Sequence, residues 1–258
     1  MGVVNVTPDS FSDGGRYFDP DDAIRHGLSL FDEGADIVDV GGESTRPGAQ
    51  PVADDEELRR VLPVVEALSK RGRVSIDTRH AAVAEAAIAA GATLVNDVSA
   101  SLAPVVASAG PLVGWVAMHM LGDPRTMQAA PHYHDVVEEV LGFVMSRADS
   151  ARELGVDEVW IDPGIGFGKN AEHNLSLLRH LDRFVAGGYP VVLGTSRKRF
   201  LGTLLGEADG RAGDDPVPAD ERLEGSLATA VWAIMQGVRM VRVHDVRATV
   251  RATRVVTG

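Results

Sequence analysis

Short apolar runs recur along the chain, each led in by a stretch of helical spacing and each ended by a polar residue. Gly34-Ala-Asp-Ile-Val-Asp39, Gly91-Ala-Thr-Leu-Val-Asn96 and Gly237-Val-Arg-Met-Val-Arg242 share one form. In each, a glycine closes a helix in the left-handed conformation, an apolar strand follows, and a polar side chain finishes it. Gly155 plays the same part before the strand that ends at Asp162. Residues 2–6, 73–77, 113–119 and 190–196 read as further strands, and residues 19–33 as an amphipathic helix. That helix turns Ala23, Ile24, Leu28, Leu30 and Phe31 towards the core. Roughly eight strands alternating with helices predict a parallel sheet closed into a (β/α)8 TIM barrel, in preference to an open doubly wound sheet. The rhythm has no linker, so one domain over residues 1–258 is expected.

Three irregular stretches interrupt it. Residues 7–15 and 46–55 read as mobile loops after the first and second strands, and residues 206–220, rich in Gly, Pro and Asp, as a flexible surface insertion. The glycine-rich turn after Asp162 fits neither nucleotide fingerprint. Asn170 rather than Ser or Thr follows Lys169, and Gly164, Gly166 and Gly168 simply alternate.

Composition narrows the chemistry. The net charge of −12 argues against nucleic acid or an anionic membrane as the main partner. Without cysteine there is no disulfide, thiolate catalysis or thiolate-bound zinc. No apolar run is long enough to span a bilayer, and nothing at the start resembles a signal peptide, so a cytoplasmic protein is expected. In a barrel the strand ends converge on one face. Here they offer Asn5, Asp39, Asp77, Asn96, His119, Asp162, Ser196 with Lys198, and Arg242 with His244. A run of strands all ending in hydrogen-bonding or charged groups reads as a site, although any one alone reads as a local cap. Asp77, Asn96 and Asp162 suit the amino and amide edge of a heterocycle, and Arg46, Lys198, Arg242 and His244 suit phosphate. His132 and His134 lack a third metal ligand and read as surface loop.

These residues sit in blocks that resemble the dihydropteroate synthase family: Asp39-Val-Gly-Gly-Glu-Ser-Thr-Arg-Pro-Gly-Ala49, Asn96-Asp-Val-Ser99, Asp162-Pro-Gly-Ile-Gly-Phe-Gly-Lys169, Gly194-Thr-Ser-Arg-Lys198 and Arg242-Val-His-Asp245, together with residues 1–15, Ser75-Ile-Asp-Thr78 and Met118-His-Met120. The resemblance runs along essentially the whole chain. It implies a (β/α)8 barrel transferase of folate biosynthesis that condenses 6-hydroxymethyl-7,8-dihydropterin diphosphate with p-aminobenzoate, releasing pyrophosphate and 7,8-dihydropteroate.

By the same match, Asp77, Asn96, Asp162 and Lys198 would hold the pterin, with Met118 also on the substrate. Asn5, Thr45, Arg242 and His244 would hold the diphosphate, with Mg²⁺ on Asn5. Arg46, Pro47, Phe167 and Ser196 would border the p-aminobenzoate pocket. Asp77, Asp162, Lys198, Arg242 and His244 would carry the chemistry. A homodimer through barrel helices is the family precedent, and Ala228, Ala230, Val231 and Ala233 lie on a helix whose small apolar residues suit either such a contact or ordinary packing against the barrel. Ala100-Ser101 depart from the Gly-Gly of the family and are expected to shift the backbone near the pterin. The chain opens directly on the first strand, which is expected to loosen the barrel floor. The rival readings are a pterin-dependent methyltransferase and a non-catalytic paralogue on the same barrel.

Overall fold

A computed structural model describes residues 1–7, 20–45, 48–211 and 216–258. Among them, eight parallel strands alternate with helices. β1 (Gly2–Asn5), β2 (Ile37–Gly41), β3 (Arg73–Asp77), β4 (Leu94–Asp97), β5 (Gly114–Met118) and β6 (Val159–Asp162) pair in sequence order. β7 (Val192–Leu193) pairs with β8 (Met240–Val241). Parallel bridges at Ile161–Val191 and Gly2–Val243 join the two sheets at both edges and close the barrel. The amide of Val3 donates to the Val243 carbonyl at 3.2 Å, and that of Val243 to the Met1 carbonyl at 3.0 Å.

The strand period of two divides the core into separate layers. Val38, Val40, Val74, Ile76, Val95, Ala117 and Ile161 face outward into the packing between barrel and helices. Met1, Ile37, Leu94, Val116, Val192 and Met240 form a smaller cluster inside the barrel, with Trp160 against it. Helical spacing supplies the outer wall: α1 (Pro20–Asp32) buries Ala23, Gly27 and Leu30, with Ile24, Leu28 and Phe31 packed partly buried beside them. α2 (Asp54–Ser69) buries Val61, Val64, Val65 and Leu68. The glycines expected to end helices, Gly34, Gly91, Gly155 and Gly237, have φ of 104°, 112°, 91° and 97°. A Cβ at those angles is strained, so the helix-to-strand turn depends on glycine.

The irregular stretches differ in outcome. Residues 8–15 of the first loop, Arg46 and Pro47 of the second, and residues 212–215 of the insertion lie outside the described residues. The rest of the insertion is more ordered than expected. The helix Arg199–Ala208 takes its first residues, and Val217 is buried, donating its amide to the Gly202 carbonyl at 3.0 Å. The Arg222 guanidinium then holds the Val217 carbonyl at 2.6 Å. An apolar residue within this Gly-, Pro- and Asp-rich stretch finds a buried place, which composition alone does not reveal. At the floor of the barrel, Met1 is buried and its amino group donates to the Val241 carbonyl at 3.0 Å. A cavity of about 410 Å³ opens there, lined by Met1, Ile37, Arg73, Trp160, Met240 and Val250 among others. It faces away from the polar strand ends.

Candidate active site

The strand period also makes the site. Two residues beyond the interior apolar positions Ile37, Leu94, Val116, Trp160 and Met240 come Asp39, Asn96, Met118, Asp162 and Arg242, on the same inward face. Asp77 continues the inward row Arg73, Ser75, and Asn5 that of Val3. The upper half of the barrel interior is therefore polar where the lower half is apolar.

Arg242 is the hub. Its Nε donates to Asp39 Oδ2 at 2.6 Å and its Nη2 to Asp77 Oδ2 at 2.8 Å, which leaves Nη1 outside both pairs. Asn96 Nδ2 donates to the same Asp39 oxygen at 3.0 Å. Asp39 is wholly buried, and its Oδ1 has no hydrogen-bond partner among the described residues. A buried orphan carboxylate oxygen is costly, and burial of a single guanidinium between two carboxylates is the arrangement that offsets it. Burial lowers the hold of Arg242 on its proton, but Asp39 and Asp77 outweigh this and keep it charged. Burial pushes the Asp77 carboxyl up to about 7, against the pull of Arg242.

Opposite stands a second pair. Asp162 is 5% exposed and accepts from the Gly164 amide at 2.7 Å. Burial raises its pKa, opposed first by the nearby Lys198 charge. Burial pulls Lys198 down to about 8, opposed by Asp162. Its Nζ donates to the Ile165 carbonyl and lies 4.7 Å from the centre of the Phe167 ring. A lysine whose pKa burial lowers, an aspartate whose pKa burial raises and an aromatic face at one place suit the polar edge and flat body of a heterocycle.

Beyond β7 and β8, Ser196 and His244 meet. The Ser196 hydroxyl accepts from the His244 amide at 3.1 Å and lies 3.0 Å from its Nδ1. Arg197 stands between Ser196 and Lys198 with φ 60°, a turn that sends its neighbours' side chains to the site while its own guanidinium pairs with Asp245 at 2.6 and 3.0 Å. Thr45 is half-buried at the start of the β2–α2 segment. Arg46 and Pro47 lie outside the described residues.

The structure thus brings together Asp77, Asn96, Asp162, Phe167 and Lys198, with Met118 beside them, and Ser196 with His244. It draws Arg242 to the carboxylates rather than to His244. Asp39, placed in the strand-end ring but given no role of its own, proves to be the centre of the network. His119 departs from the ring: it has the outward parity of Ala117, packs edge-on to Phe143 at 5.0 Å, and faces Lys169. Neither histidine of the 132–134 stretch enters the site. The residue between them does: Tyr133 is buried and donates to the Gly168 carbonyl at 2.9 Å.

Ala100 occupies the left-handed region at φ 49°. Asp97 holds this turn through the amides of Ser101 and Leu102, both at 2.7 Å. For a metal, no group of three or more His, Asp or Glu side chains suited to an ion occurs among the described residues. Mg²⁺ commonly takes one or two protein oxygens and completes its shell with phosphate and water. The single amide oxygen of Asn5, at the mouth of the ring, fits an ion that arrives with a diphosphate rather than a preformed cage.

The family model described as pterin binding enzyme matches residues 1–244. The dihydropteroate synthase of Mycobacterium leprae is 51% identical over 99% of this chain and 91% of its own. The dihydropteroate synthase of Yersinia pestis, solved with a sulfonamide drug, superposes with a TM-score of 0.90 at 42% identity, over 99% of this chain and 92% of that one. That of Xanthomonas albilineans with 4-aminobenzoic acid gives 0.86 at 46%, over 99% and 90%. The strand-end ring, the closed barrel and these likenesses agree, and the chain belongs to the dihydropteroate synthase family of pterin-binding enzymes.

Proposed function

We propose that the protein is the transferase that condenses 6-hydroxymethyl-7,8-dihydropterin diphosphate with p-aminobenzoate, releasing pyrophosphate and forming 7,8-dihydropteroate. The observation that carries this is the polar upper tier of the barrel, with carboxylates and an amide on one side and cations on the other. Asp77, Asn96, Asp162 and Lys198 hold the pterin edge, with Met118 against the ring. Asn5, Thr45, Arg242 through its remaining nitrogen, and His244 hold the diphosphate. Phe167, Ser196, Arg46 and Pro47 border the arylamine.

Breaking the methylene–oxygen bond leaves positive charge on the pterin and negative charge on the leaving group. Asp77 and Asp162 face the first as it develops, and Arg242 and His244 the second. Asn5 would hold Mg²⁺, which when bound would supply neutralisation of part of the leaving-group charge. The weakly nucleophilic arylamine favours a path in which the carbon–oxygen bond is largely broken before attack. The loops at residues 7–15 and 46–55 then serve by excluding water, which competes for the cation.

No helix among the described residues is long and apolar enough to cross a membrane, in keeping with action in the cytosol. A homodimer would use the outer face of the helix Leu223–Met235. There Ala230 and Ala233 turn inward to the protein's own core, whereas Trp232 and Met235 are exposed. The test mixes protein, pterin diphosphate, p-aminobenzoate and Mg²⁺ and follows pyrophosphate together with dihydropteroate. Release that depends on p-aminobenzoate, and that a sulfonamide suppresses by competition, is expected. Pterin binding with no arylamine-dependent release would overturn the synthase reading in favour of the non-catalytic or methyl-transferring alternatives.

A further inference from the structure

The loop between β6 and the helix Ala171–Arg179 makes one backbone hydrogen bond of its own, from the Phe167 amide to the Gly164 carbonyl at 3.1 Å, and is otherwise held by side chains. Its glycines take φ of 65°, 85° and 65° at Gly164, Gly166 and Gly168, so successive carbonyls point in different directions. Each carbonyl from Gly164 to Gly168 is captured by a side chain. Ile165 is taken by Lys198, Gly166 by Gln128 at 2.7 Å and Gly168 by Tyr133 at 2.9 Å. Gly164 and Phe167 are both taken by one atom, Lys169 Nζ, at 3.0 Å each. The same Nζ lies 2.9 Å from His119 Nδ1, and Lys169 is 2% exposed. An ammonium has three donors, and here it meets three acceptors within 3.0 Å.

None of these contacts reaches the reacting centre, yet each fixes something that does. Gly164, whose carbonyl Lys169 holds, also directs its amide, on the other side of its Cα, at Asp162 Oδ1 at 2.7 Å. The Phe167 carbonyl it holds sets the ring that lies against Lys198. We propose that Lys169 is a positioning residue of the synthase: with His119 as its far anchor, it fixes the Gly164–Phe167 turn and so sets Asp162, Lys198 and the Phe167 wall of the arylamine pocket.

The chemistry of the anchor suits this task. Burial and the nearby Lys169 charge push His119 down to about 3, so its ring is neutral and can accept at Nδ1. Burial likewise lowers Lys169. A neutral amine would still donate to both carbonyls and accept a hydrogen bond from the Nδ1–H tautomer of His119, so the clamp holds in either protonation state. The inference rests on the condensation proposed above, and wild-type turnover measured alongside tests that reading separately.

The experiment is steady-state kinetics of Lys169→Met with each substrate varied in turn. A misplacement of about 1 Å costs on the order of 100-fold in rate, so a tenfold or larger rise in KM for p-aminobenzoate, with a fall in kcat, is expected. A merely structural lysine would lower the folded fraction, reducing kcat per total protein while leaving both KM values unchanged. That result would overturn the proposal. Because the chain has no cysteine, Lys169→Cys can be alkylated selectively in the unfolded state with 2-bromoethylamine and refolded. Return of KM to the wild-type value is expected with the aminoethyl group and not with a neutral propyl group. If all Lys169 variants fail to fold, Tyr133→Phe loosens the same turn at Gly168 alone. A rise of about threefold in KM for p-aminobenzoate with the fold intact is then expected, and an unchanged KM would reject the turn as the positioning element.

Discussion

Replacing Asp77 with asparagine separates what the site does for chemistry from what it does to stability. Burial lifts the Asp77 carboxyl from an ordinary 3.8 to about 7, even with the Arg242 guanidinium 2.8 Å away. Because the folded value lies above the unfolded one, this carboxyl's favourable contribution is complete below about pH 4 and is lost as pH rises through about 7. At pH 8 the free protein therefore carries an ionised buried group at a cost on the order of 4 kcal/mol. The asparagine amide recovers only part of it, since Arg242 loses one carboxylate, although it keeps Asp39 at 2.6 Å. We expect D77N to be about 1–2 kcal/mol more stable at pH 8, or roughly 3–8 °C higher in Tm for a chain of this size. The gain should shrink towards pH 5. Turnover should move the other way, falling about 100- to 1,000-fold as the acceptor facing the developing pterin charge is lost. Calorimetric unfolding from pH 5 to 8, beside the product assay, reads both effects. A D77N protein no more stable than wild type at pH 8, with the same pH slope, would refute the burial reasoning; near-normal turnover would refute the catalytic role.

Other sites make separate predictions. Gly164→Ala places a Cβ into the His119 carbonyl at a left-handed φ, so it should lose several kcal/mol of stability and most activity, read by denaturant unfolding and turnover. Asp97→Ala removes a buried acceptor that holds the amides of Ser99, Ser101 and Leu102 and the Trp115 indole at 3.2 Å. It should cost about 3–5 kcal/mol in urea titration and raise KM for the pterin diphosphate through the neighbouring Asn96. Ala100→Gly relieves left-handed strain of about 1–2 kcal/mol but adds unfolded-state freedom. Its net effect should be a gain of less than about 1 kcal/mol with unchanged kinetics, and a clear loss of stability would show that Ala100 is not strained.

The barrel was legible because two periods superpose in the chain. Helical spacing marks the outer wall, and the glycine-strand-polar phrase repeated at Gly34, Gly91, Gly155 and Gly237 marks each return to the barrel. The inward set was legible too, since Asp39, Asn96, Asp162 and Arg242 each stand two residues past an interior apolar side chain. What the sequence did not disclose was pairing. Nothing in residue types says that Arg242 pairs with both Asp39 and Asp77, for that depends on which strands face each other across the barrel. His119 joined the ring by position along its strand, whereas its parity with Ala117 turns it outward. Lys169 was noticed only as a failed nucleotide signature. Its part emerges once the turn folds back over it.

The alternation that builds the barrel also shapes how this enzyme can change over generations. Along every strand, the positions that grip the helices and the positions that meet substrate alternate, so almost no side chain answers to both demands. Val38, Val40, Ile76 and Ile161 hold the wall, while their neighbours Asp39, Asp77 and Asp162 face the barrel interior. Substitutions that reshape recognition at the mouth can therefore accumulate without eroding the wall, and substitutions in the wall can be repacked without disturbing recognition. A population under selection by a competitive inhibitor is free to explore the first set while the second keeps the protein folded.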